Sequence, residues 1–161
     1  MSCFAVLLSL GAISAVENAT TCPKDTAVPL LRAYLREPYY DHFYTTNAAE
    51  MQRAVTTLHY KAEGQTGLVF GFQAPVLSHI PPHWLGYKDE GIVGYIYPKE
   101  MCCSVPLYRL YHDKPVRDHL YTEDSKEIDS AKRLGYTYEG IAGYILPVGS
   151  WYVGFVQLAA G

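Results

Sequence analysis

The sequence lacks any apolar run long enough to cross a bilayer as a helix. Its one membrane-like stretch, residues 4–15, is well short of the roughly 20 residues that a spanning helix needs. The sequence also lacks clusters of Lys and Arg, and its 13 basic and 16 acidic side chains leave a formal net charge of −3. Proteins that bind nucleic acid or an anionic membrane carry a basic patch. We therefore expect no nucleic-acid partner and no membrane span.

Spacings that identify common catalytic and metal sites are also missing. There is no Gly-x-Ser-x-Gly elbow to present a serine nucleophile, and no Cys-x-x-Cys or Cys–His ligand spacing. His79 and His83 lie four residues apart, but Pro81 and Pro82 between them break the helix that a zinc-binding histidine pair of this spacing requires. We expect no metal and no cofactor, and we favour a protein without enzymatic activity.

The apolar N-terminal stretch has the length of a secretory h-region and ends in small side chains. We predict a signal peptide over residues 1–15, an N-terminal segment over residues 16–28, and a secreted, extracellular protein. A buried N-terminal helix or strand is the alternative. Asn18 begins an Asn-x-Thr sequon, which predicts N-glycosylation of an exported chain.

Cysteine usage bears on the same prediction. Cleavage after residue 15 removes Cys3 and leaves three cysteines, which in an oxidising compartment predict one disulfide and one remaining thiol. We favour a bond from Cys22 to Cys103, with Cys102 as the alternative partner, because Cys22 opens the mature domain and the cysteine pair precedes its last third. A vicinal Cys102–Cys103 bond is a further, strained alternative. Such a bond closes a loop of about 80 residues and restricts the unfolded chain.

An internal repeat is the strongest feature of the sequence. The pattern Leu-x-Tyr-x-x-Glu-Gly-x-x-Gly occurs over residues 58–67, 85–94 and 134–143. A longer block that contains Asp-His-[Phe/Leu]-Tyr-Thr occurs only twice, 77 residues apart, and is missing from the middle copy. Recurrence at a fixed spacing indicates a repeat architecture. We predict one domain over residues 29–161. Its parts are units 29–71, 72–98 and 106–147 and a closing strand over 150–157.

Local patterns predict strand, strand, short helix and strand in each full unit. Residues 123–125 (Glu-Asp-Ser) and Asn47 (or Thr46) offer helix N-cap side chains, and Gly135 stands where a helix ends. The Glu-Gly step predicts a positive φ or a bulge, and the second glycine a close backbone approach. The predicted fold class is mainly β with short helices (α+β). We expect a pseudo-threefold repeat with a truncated middle unit and β-trefoil-like or propeller-like closure.

The repeated Asp-His-x-Tyr strand is the candidate site. Side chains two apart share one face of a strand, so histidine and tyrosine lie together, and both are identical in the two full units while Phe43 becomes Leu120. The strand either binds a ligand or forms a hydrogen-bonded lock between units. The groove left by the missing hairpin adds two further candidates. The candidate ligand-binding residues are Asp41, His42, Tyr44, Asp118, His119, Tyr121, His83 and Trp84.

The glutamates of the repeated pattern are Glu63, Glu90 and Glu139. Three equivalent carboxylates are poorly suited to act together as catalysts, which need convergent groups with perturbed pKa values. We expect a structural role, either in a cation site or in ion pairs that hold Arg32 and Arg109.

The blocks at residues 106–111, 118–122 and 135–144 (PLYRLY, DHLYT and GYTYEGIAGY) and their copies resemble a repeat family of unknown function. That family occurs in secreted fungal proteins and as an accessory domain beside extracellular bacterial hydrolases. The resemblance, together with 15 tyrosines, implies a non-catalytic secreted module that binds carbohydrate or another cell-surface or cell-wall ligand. The alternatives are a small secreted hydrolase with an Asp–His pair and a structural or effector-type protein-interaction domain.

Overall fold

The computed structural model describes residues 24–73, 78–79, 92–114 and 117–149. They form a mainly β structure with curled sheets and two α-helices. A short 3-10 helix, Lys24–Thr26, precedes the first strand. The elements are β1 Ala27–Leu35, β2 Asp41–Thr45, α1 Ala48–Thr57, β3 Lys61–Phe70, β4 Ser78–His79, β5 Tyr95–Ile96, β6 Val105–His112, β7 Asp118–Thr122, α2 Ser125–Arg133 and β8 Thr137–Ile145.

The two full units have the same strand arrangement. In repeat 1 (residues 27–70), β1 lies between β2 and β3, and in repeat 2 (residues 105–146), β6 lies between β7 and β8, all antiparallel. Arg32 pairs with Gly64 in register, and Arg109 pairs with Gly140 in the same way. A register shift follows each arginine in both repeats. The predicted unit of strand, strand, helix and strand is therefore confirmed for both copies.

Both helices begin at the predicted N-cap segments, and α2 ends before Gly135 as predicted. Asn47 caps α1 by accepting hydrogen bonds from the backbone amides of residues 49 and 50, and Asp124 caps α2 by accepting one from residue 126. Gly135 follows α2 with φ +97°, and His59 holds the matching position after α1 with φ +64°. The left-handed conformation therefore occurs in both repeats, although only one of them uses glycine, for which it is unstrained.

The ends of β3 and β8 meet β5 in the centre of the fold. The glycines that precede these three strand ends each face an apolar side chain of a neighbouring strand end. A Cβ atom on Gly67 would lie under 3 Å from Ile145, one on Gly94 under 3 Å from Val69, and one on Gly143 2.5 Å from Ile96. The close approach predicted for the second glycine is confirmed. The backbone pairs are Phe70 with Tyr95, Tyr97 with Tyr144, and Leu146 with Leu68.

Apolar side chains from both repeats and from β5 fill the space around these strand ends. The central cluster consists of Leu30, Val69, Ile96, Leu107, Tyr121 and Ile145, and all six are at most 3% exposed. One core therefore holds both repeats, and burial of this apolar surface is its main stabilising contribution.

Several predictions fall on residues outside the described ranges. These are the signal peptide over residues 1–15, the glycosylation site Asn18, the disulfide partner Cys22, and the closing strand over residues 150–157. His83 and Trp84 lie outside as well, and so does most of the middle unit, residues 72–98. These assignments, and trefoil-like or propeller-like closure, stay predictions.

Substitution of Gly143 by Ala tests the central packing. The added Cβ would meet Ile96 and would lie 2.9 Å from the backbone oxygen of Tyr97, which cannot move without disturbing a strand pair. We expect a loss of about 1–3 kcal/mol in the free energy of unfolding, measured by urea denaturation. Gly71→Ala is the matched control, because nothing lies within 4 Å of its Cβ position. Equal stability of the two variants would contradict this packing.

Candidate functional site

His42 of repeat 1 is bound by a carboxylate of repeat 2. Its Nδ1 atom lies 2.5 Å from Oδ2 of Asp118, and its backbone N–H donates to Oδ1 at 2.9 Å. The Tyr136 hydroxyl donates to the same carboxylate. The Asp118 side chain is 2% exposed and that of His42 is 10% exposed. Burial opposes ionisation of Asp118, but the hydrogen bonds from His42 and Tyr136 outweigh it and lower the pKa of this carboxyl group.

Arg32 makes the second bond between the repeats. Its Nη1 and Nη2 atoms donate to the two carboxylate oxygens of Glu127, each at 2.9 Å, and its Nε atom lies 2.9 Å from Glu63. Two parallel bonds of this kind fix orientation as well as distance. Burial opposes ionisation of Glu127, but hydrogen bonds from Arg32 and Thr122 outweigh it, so the pKa of Glu127 is lowered. Arg32 thus joins one glutamate of each repeat.

Tyr44 completes the contact. Its hydroxyl accepts a hydrogen bond from the backbone N–H of Tyr121 at 2.8 Å and donates to the carbonyl of the same residue at 3.3 Å. The two rings meet edge to face, with centroids 5.5 Å apart. Burial raises the pKa of Tyr44, so this hydroxyl stays neutral. We call the contacts of Arg32, His42 and Tyr44 with repeat 2 the repeat junction.

Repeat 2 carries the corresponding residues in a different environment. Arg109 Nε lies 2.7 Å from Glu139, as Arg32 lies beside Glu63. Arg109 Nη2 lies 3.0 Å from Nε2 of His119. Because a guanidinium can only donate, this nitrogen accepts, and His119 is in its neutral Nδ1–H form at that contact. The ion pairs predicted between the repeated glutamates and arginines are confirmed in both repeats.

The junction does not have the geometry of a nucleophilic triad. An Asp–His pair does form, but it links Asp118 to His42 across the repeats and does not join neighbours in sequence. The other ring nitrogen of His42 lies 3.9 Å from the Glu63 carboxylate. A general base in acyl transfer needs a hydroxyl or thiol at that position. Among the described residues, no group of three or more His, Cys, Asp or Glu side chains is arranged to hold a metal ion.

A polar cleft of about 510 Å³ opens beside the junction, between β3 of repeat 1 and the β7–α2 corner of repeat 2. Carboxylates, hydroxyls, one amide and two cationic groups form its walls. Its lining consists of Arg32, Glu63, Gln65, Thr66, Thr122, Glu123, Asp124, Lys126, Glu127 and Ser130. The cleft is therefore a shared product of the two repeats.

Two buried polar atoms of the cleft lack hydrogen-bond partners in the described part of the chain. They are Oγ1 of Thr66, a residue only 6% exposed, and Oε2 of Glu123. Burial raises the pKa of Glu123, Asp124 raises it further, and a hydrogen bond from the backbone of Val148 acts in the opposite direction. Buried polar atoms are nearly always satisfied in folded proteins. Both residues line the cleft.

Comparison with known protein families finds one match, to a model described as a domain of unknown function (DUF5648), over residues 13–78 and 78–146. The chain belongs to the DUF5648 family. The two matched segments contain repeat 1 and repeat 2, whereas the repeated pattern in the sequence predicts three units. No curated protein and no solved structure matches the chain.

The structure of this DUF5648 chain places the predicted site residues in different surroundings. The structure brings His42, Tyr44, Asp118 and Tyr121 together in the repeat junction. His119 is 7% exposed beside Arg109, and Asp41 accepts a hydrogen bond from Tyr60. Burial favours the alternative of a hydrogen-bonded lock, while ligand binding by these residues stays a prediction. Within the ranges that the structure covers, no helix is long and apolar enough to cross a membrane.

Sequence reasoning missed Thr66 and Glu123, although the repeat carries a signal for both. In the Glu-Gly-x-x-Gly pattern, the two variable positions are Gln65 and Thr66 in repeat 1 but apolar residues in the other copies. Glu123 stands where repeat 1 has Thr46. Residues that are identical in the two repeats form the repeat junction, whereas residues that differ between the copies contribute to the wall of the cleft. A search for positions where one copy carries a polar or charged residue that the other copies lack would have pointed to these two residues.

Replacing Asp118 with Asn tests the junction. Its folded-state pKa is lowered, so the carboxylate stabilises the fold above its unfolded pKa of about 3.9, and that stability is lost as pH falls through the folded pKa. We expect Asp118→Asn to lower the free energy of unfolding at pH 7 by about 1–3 kcal/mol. We also expect a weaker pH dependence below about pH 4. Urea denaturation at pH 7, 5, 4 and 3 measures both effects.

Asp129→Asn makes the same charge change at an exposed position of α2 and is the control. It should leave the stability within about 0.5 kcal/mol of the parent chain. An Asp118→Asn variant as stable as this control at pH 7 would contradict the structural role of the junction.

Proposed function

We propose that this chain is a non-catalytic, secreted binding module that recognises a carbohydrate in the cleft between its repeats. The observation that carries the proposal is the pair of unpartnered polar atoms on Thr66 and Glu123 inside a polar cleft. A sugar hydroxyl both donates and accepts, so it suits a buried hydroxyl and a buried carboxyl oxygen together. The chemical groups around them, an amide and several carboxylates, offer further acceptors and donors to neighbouring hydroxyls.

The dimensions of the cleft support the same proposal. A volume of about 510 Å³ falls in the range of small-molecule sites, about 300–1,000 Å³. The two repeats build its walls, and the junction holds those walls through buried ion pairs. A site positioned by packed elements needs little rearrangement on binding, which favours affinity.

A small secreted hydrolase is the second candidate. Its supporting observation is that the cleft holds a carboxyl group with a raised pKa, Glu123, beside one with a lowered pKa, Glu127. An acid and a base in one site require such a pair. Against it, both oxygens of Glu127 accept hydrogen bonds from Arg32, and this weakens the carboxylate as a base. An effector-type protein-interaction domain remains the third candidate.

We also infer that the strand ends close around a pseudo-threefold axis. The three backbone pairs follow one cyclic order, since the last residue of each strand end pairs with the first residue of the next. The three glycine contacts are cyclic as well. Both sets support a middle unit that contributes a strand to the centre although it lacks a hairpin and helix.

Export is testable on the protein itself. Expressed in a eukaryotic secretory host, the chain should reach the medium, begin near Val16 and carry a glycan at Asn18. Non-reducing peptide mapping should join Cys22 to Cys103 or Cys102. Retention inside the cell, or a secreted chain that still carries residues 1–15, would contradict this part of the proposal.

Substitution of Thr66 by Val tests the cleft. The change removes an unpartnered hydroxyl at nearly constant volume, so the free energy of unfolding should stay the same or rise by about 1 kcal/mol. Affinity for the glycan that the parent chain binds on a neutral and acidic oligosaccharide array should fall by about two- to tenfold. Calorimetric titration measures the affinity, and urea denaturation measures the stability.

Thr45→Val is the matched control, because Thr45 is equally buried but its hydroxyl bonds Glu50 and the backbone of Asn47. It should lose stability, by about 1 kcal/mol, and keep its affinity for the glycan. Absence of glycan binding by the parent chain would refute the proposal in favour of a protein partner. Release of new reducing ends from the bound glycan would support the hydrolase instead.

A further inference from the structure

The cleft between the repeats carries more negative than positive charge. The charged side chains of its described lining are four carboxylates and two cations, namely Glu63, Glu123, Asp124, Glu127, Arg32 and Lys126. Two negative charges are therefore in excess when all of these groups are ionised. A cleft with an excess of one sign concentrates the electric field and attracts ligands of the opposite sign.

Three of the four carboxylates already have partners. Glu63 lies 2.9 Å from Nε of Arg32, and Glu127 accepts hydrogen bonds from both Nη atoms of the same arginine. Asp124 caps α2, where a negative charge offsets the positive end of the helix dipole. Within the described ranges, no ion pair joins Glu123 to a basic side chain. Glu123 is therefore the carboxylate that a ligand can neutralise.

The charge of Glu123 is poorly solvated. The residue is half-buried, and burial raises the pKa of its carboxyl group because water is partly excluded from it. A cation close to such a group replaces the lost solvation. Lys126 is exposed, and among the described residues it forms no ion pair, so it does not supply that cation.

An uncharged side chain supports a ligand in the same cleft independently of charge. Thr66 is 6% exposed, lines the cleft, and has no hydrogen-bond partner for Oγ1 in the part of the chain that the structure describes. Buried hydroxyls are nearly always hydrogen-bonded in folded proteins. The threonine hydroxyl can donate or accept, so it suits a polar group that enters the cleft.

A protonated amine is the charged group that suits this lining. An ammonium group has three N–H donors and no acceptor. It therefore pairs with a carboxylate through charge-assisted hydrogen bonds, which are about twice as strong as those between neutral groups. An acidic ligand would instead bring a further negative charge into the cleft. The neutral polar lining, Gln65, Thr66 and Ser130, suits the hydroxyl groups of a sugar.

The residues that carry this argument occur in one repeat only. Glu123 stands where repeat 1 has Thr46, and Thr66 stands where repeat 2 has Ala142. Both repeats nevertheless form the same strands in the same register. The fold of a repeat therefore does not require either side chain, and substitutions at both positions are suitable tests.

We propose that the cleft binds an amino sugar, whose protonated amine pairs with the Glu123 carboxylate and whose hydroxyls meet the neutral polar side chains of the lining. The inference rests on the proposed carbohydrate-binding function and adds the charge of the sugar to it. It predicts a preference for an oligomer of glucosamine over the oligomer of N-acetylglucosamine of the same length, because acetylation removes the positive charge.

Calorimetric titration of the full chain with these two oligomers tests the proposal. At about pH 6.5, between the ordinary pKa values of a carboxyl and an amino group, the glucosamine oligomer should bind at least about tenfold more tightly than the acetylated one. Glu123→Gln should weaken glucosamine binding by about ten- to hundredfold and change binding of the acetylated oligomer by less than about twofold.

Glu123→Gln should fold at least as stably as the parent chain, because the raised pKa shows that burial disfavours the charge of Glu123 in the folded state. Urea denaturation checks this. Glu100→Gln is the matched control, since it makes the same change at an exposed residue that does not line the cleft. It should bind both oligomers as the parent chain does. Equal losses in the two variants would show a non-specific charge effect and overturn the proposal.

The remaining outcomes separate this inference from the proposed function. Equal affinity for the two oligomers, with both weakened by Thr66→Val, would overturn the amino-sugar preference and leave carbohydrate binding in the cleft supported. Binding of neither oligomer would overturn the amino-sugar preference, while the oligosaccharide array still decides whether the cleft binds another glycan. Binding of a lysine oligomer as tight as that of the glucosamine oligomer would overturn it in favour of a basic protein partner.

Discussion

A buried charge needs a partner of opposite charge close to it, and this constraint fixes how the two repeats pack against each other. Taking a carboxylate or a guanidinium out of water costs several kcal/mol unless a partner of opposite charge and good geometry replaces the water. Asp118 and Arg32 are both largely withdrawn from solvent, and each finds a main partner in the other repeat. Neither repeat alone supplies both sides of these pairs. The junction thus specifies one relative placement, while the apolar centre supplies most of the driving force.

The same constraint explains why equal residues behave differently in the two copies. Asp118 binds His42 of the other repeat, whereas its counterpart Asp41 accepts a hydrogen bond from Tyr60 of its own repeat. Arg32 bridges two glutamates, whereas within the described ranges Arg109 pairs with one. Since the local folds share their register, the difference comes from the neighbours. The repeat sequence determines which side chains are present, and the packing of the repeats against each other determines which partner each side chain meets.

Local rules predict the elements of the fold well because those elements depend on nearby residues. The caps at Asn47 and Asp124 are satisfied by amides two or three residues away, and the glycine of the Glu-Gly step needs only a positive φ, as at Gly64 and Gly140. Pairing across the repeats is a different matter. The bond from His42 to Asp118 spans 76 residues, and no local pattern indicates which aspartate a histidine will meet. The repeat pattern therefore identifies His42 and Asp118 as candidates, but it does not predict that they bind each other.

The candidate site shows that a residue identical in both repeats is not for that reason a ligand-binding residue. Residues repeated without change are needed for the geometry that the copies have in common, so identity between copies selects the junction. A ligand site that occurs once must come from positions where the copies differ, and Thr66 and Glu123 are two of these. The loss of the Asp-His-x-Tyr-Thr block from the middle unit is a larger difference of the same kind. Positions where the copies differ are therefore the places where a binding surface can arise without loss of the contacts that hold the two repeats together.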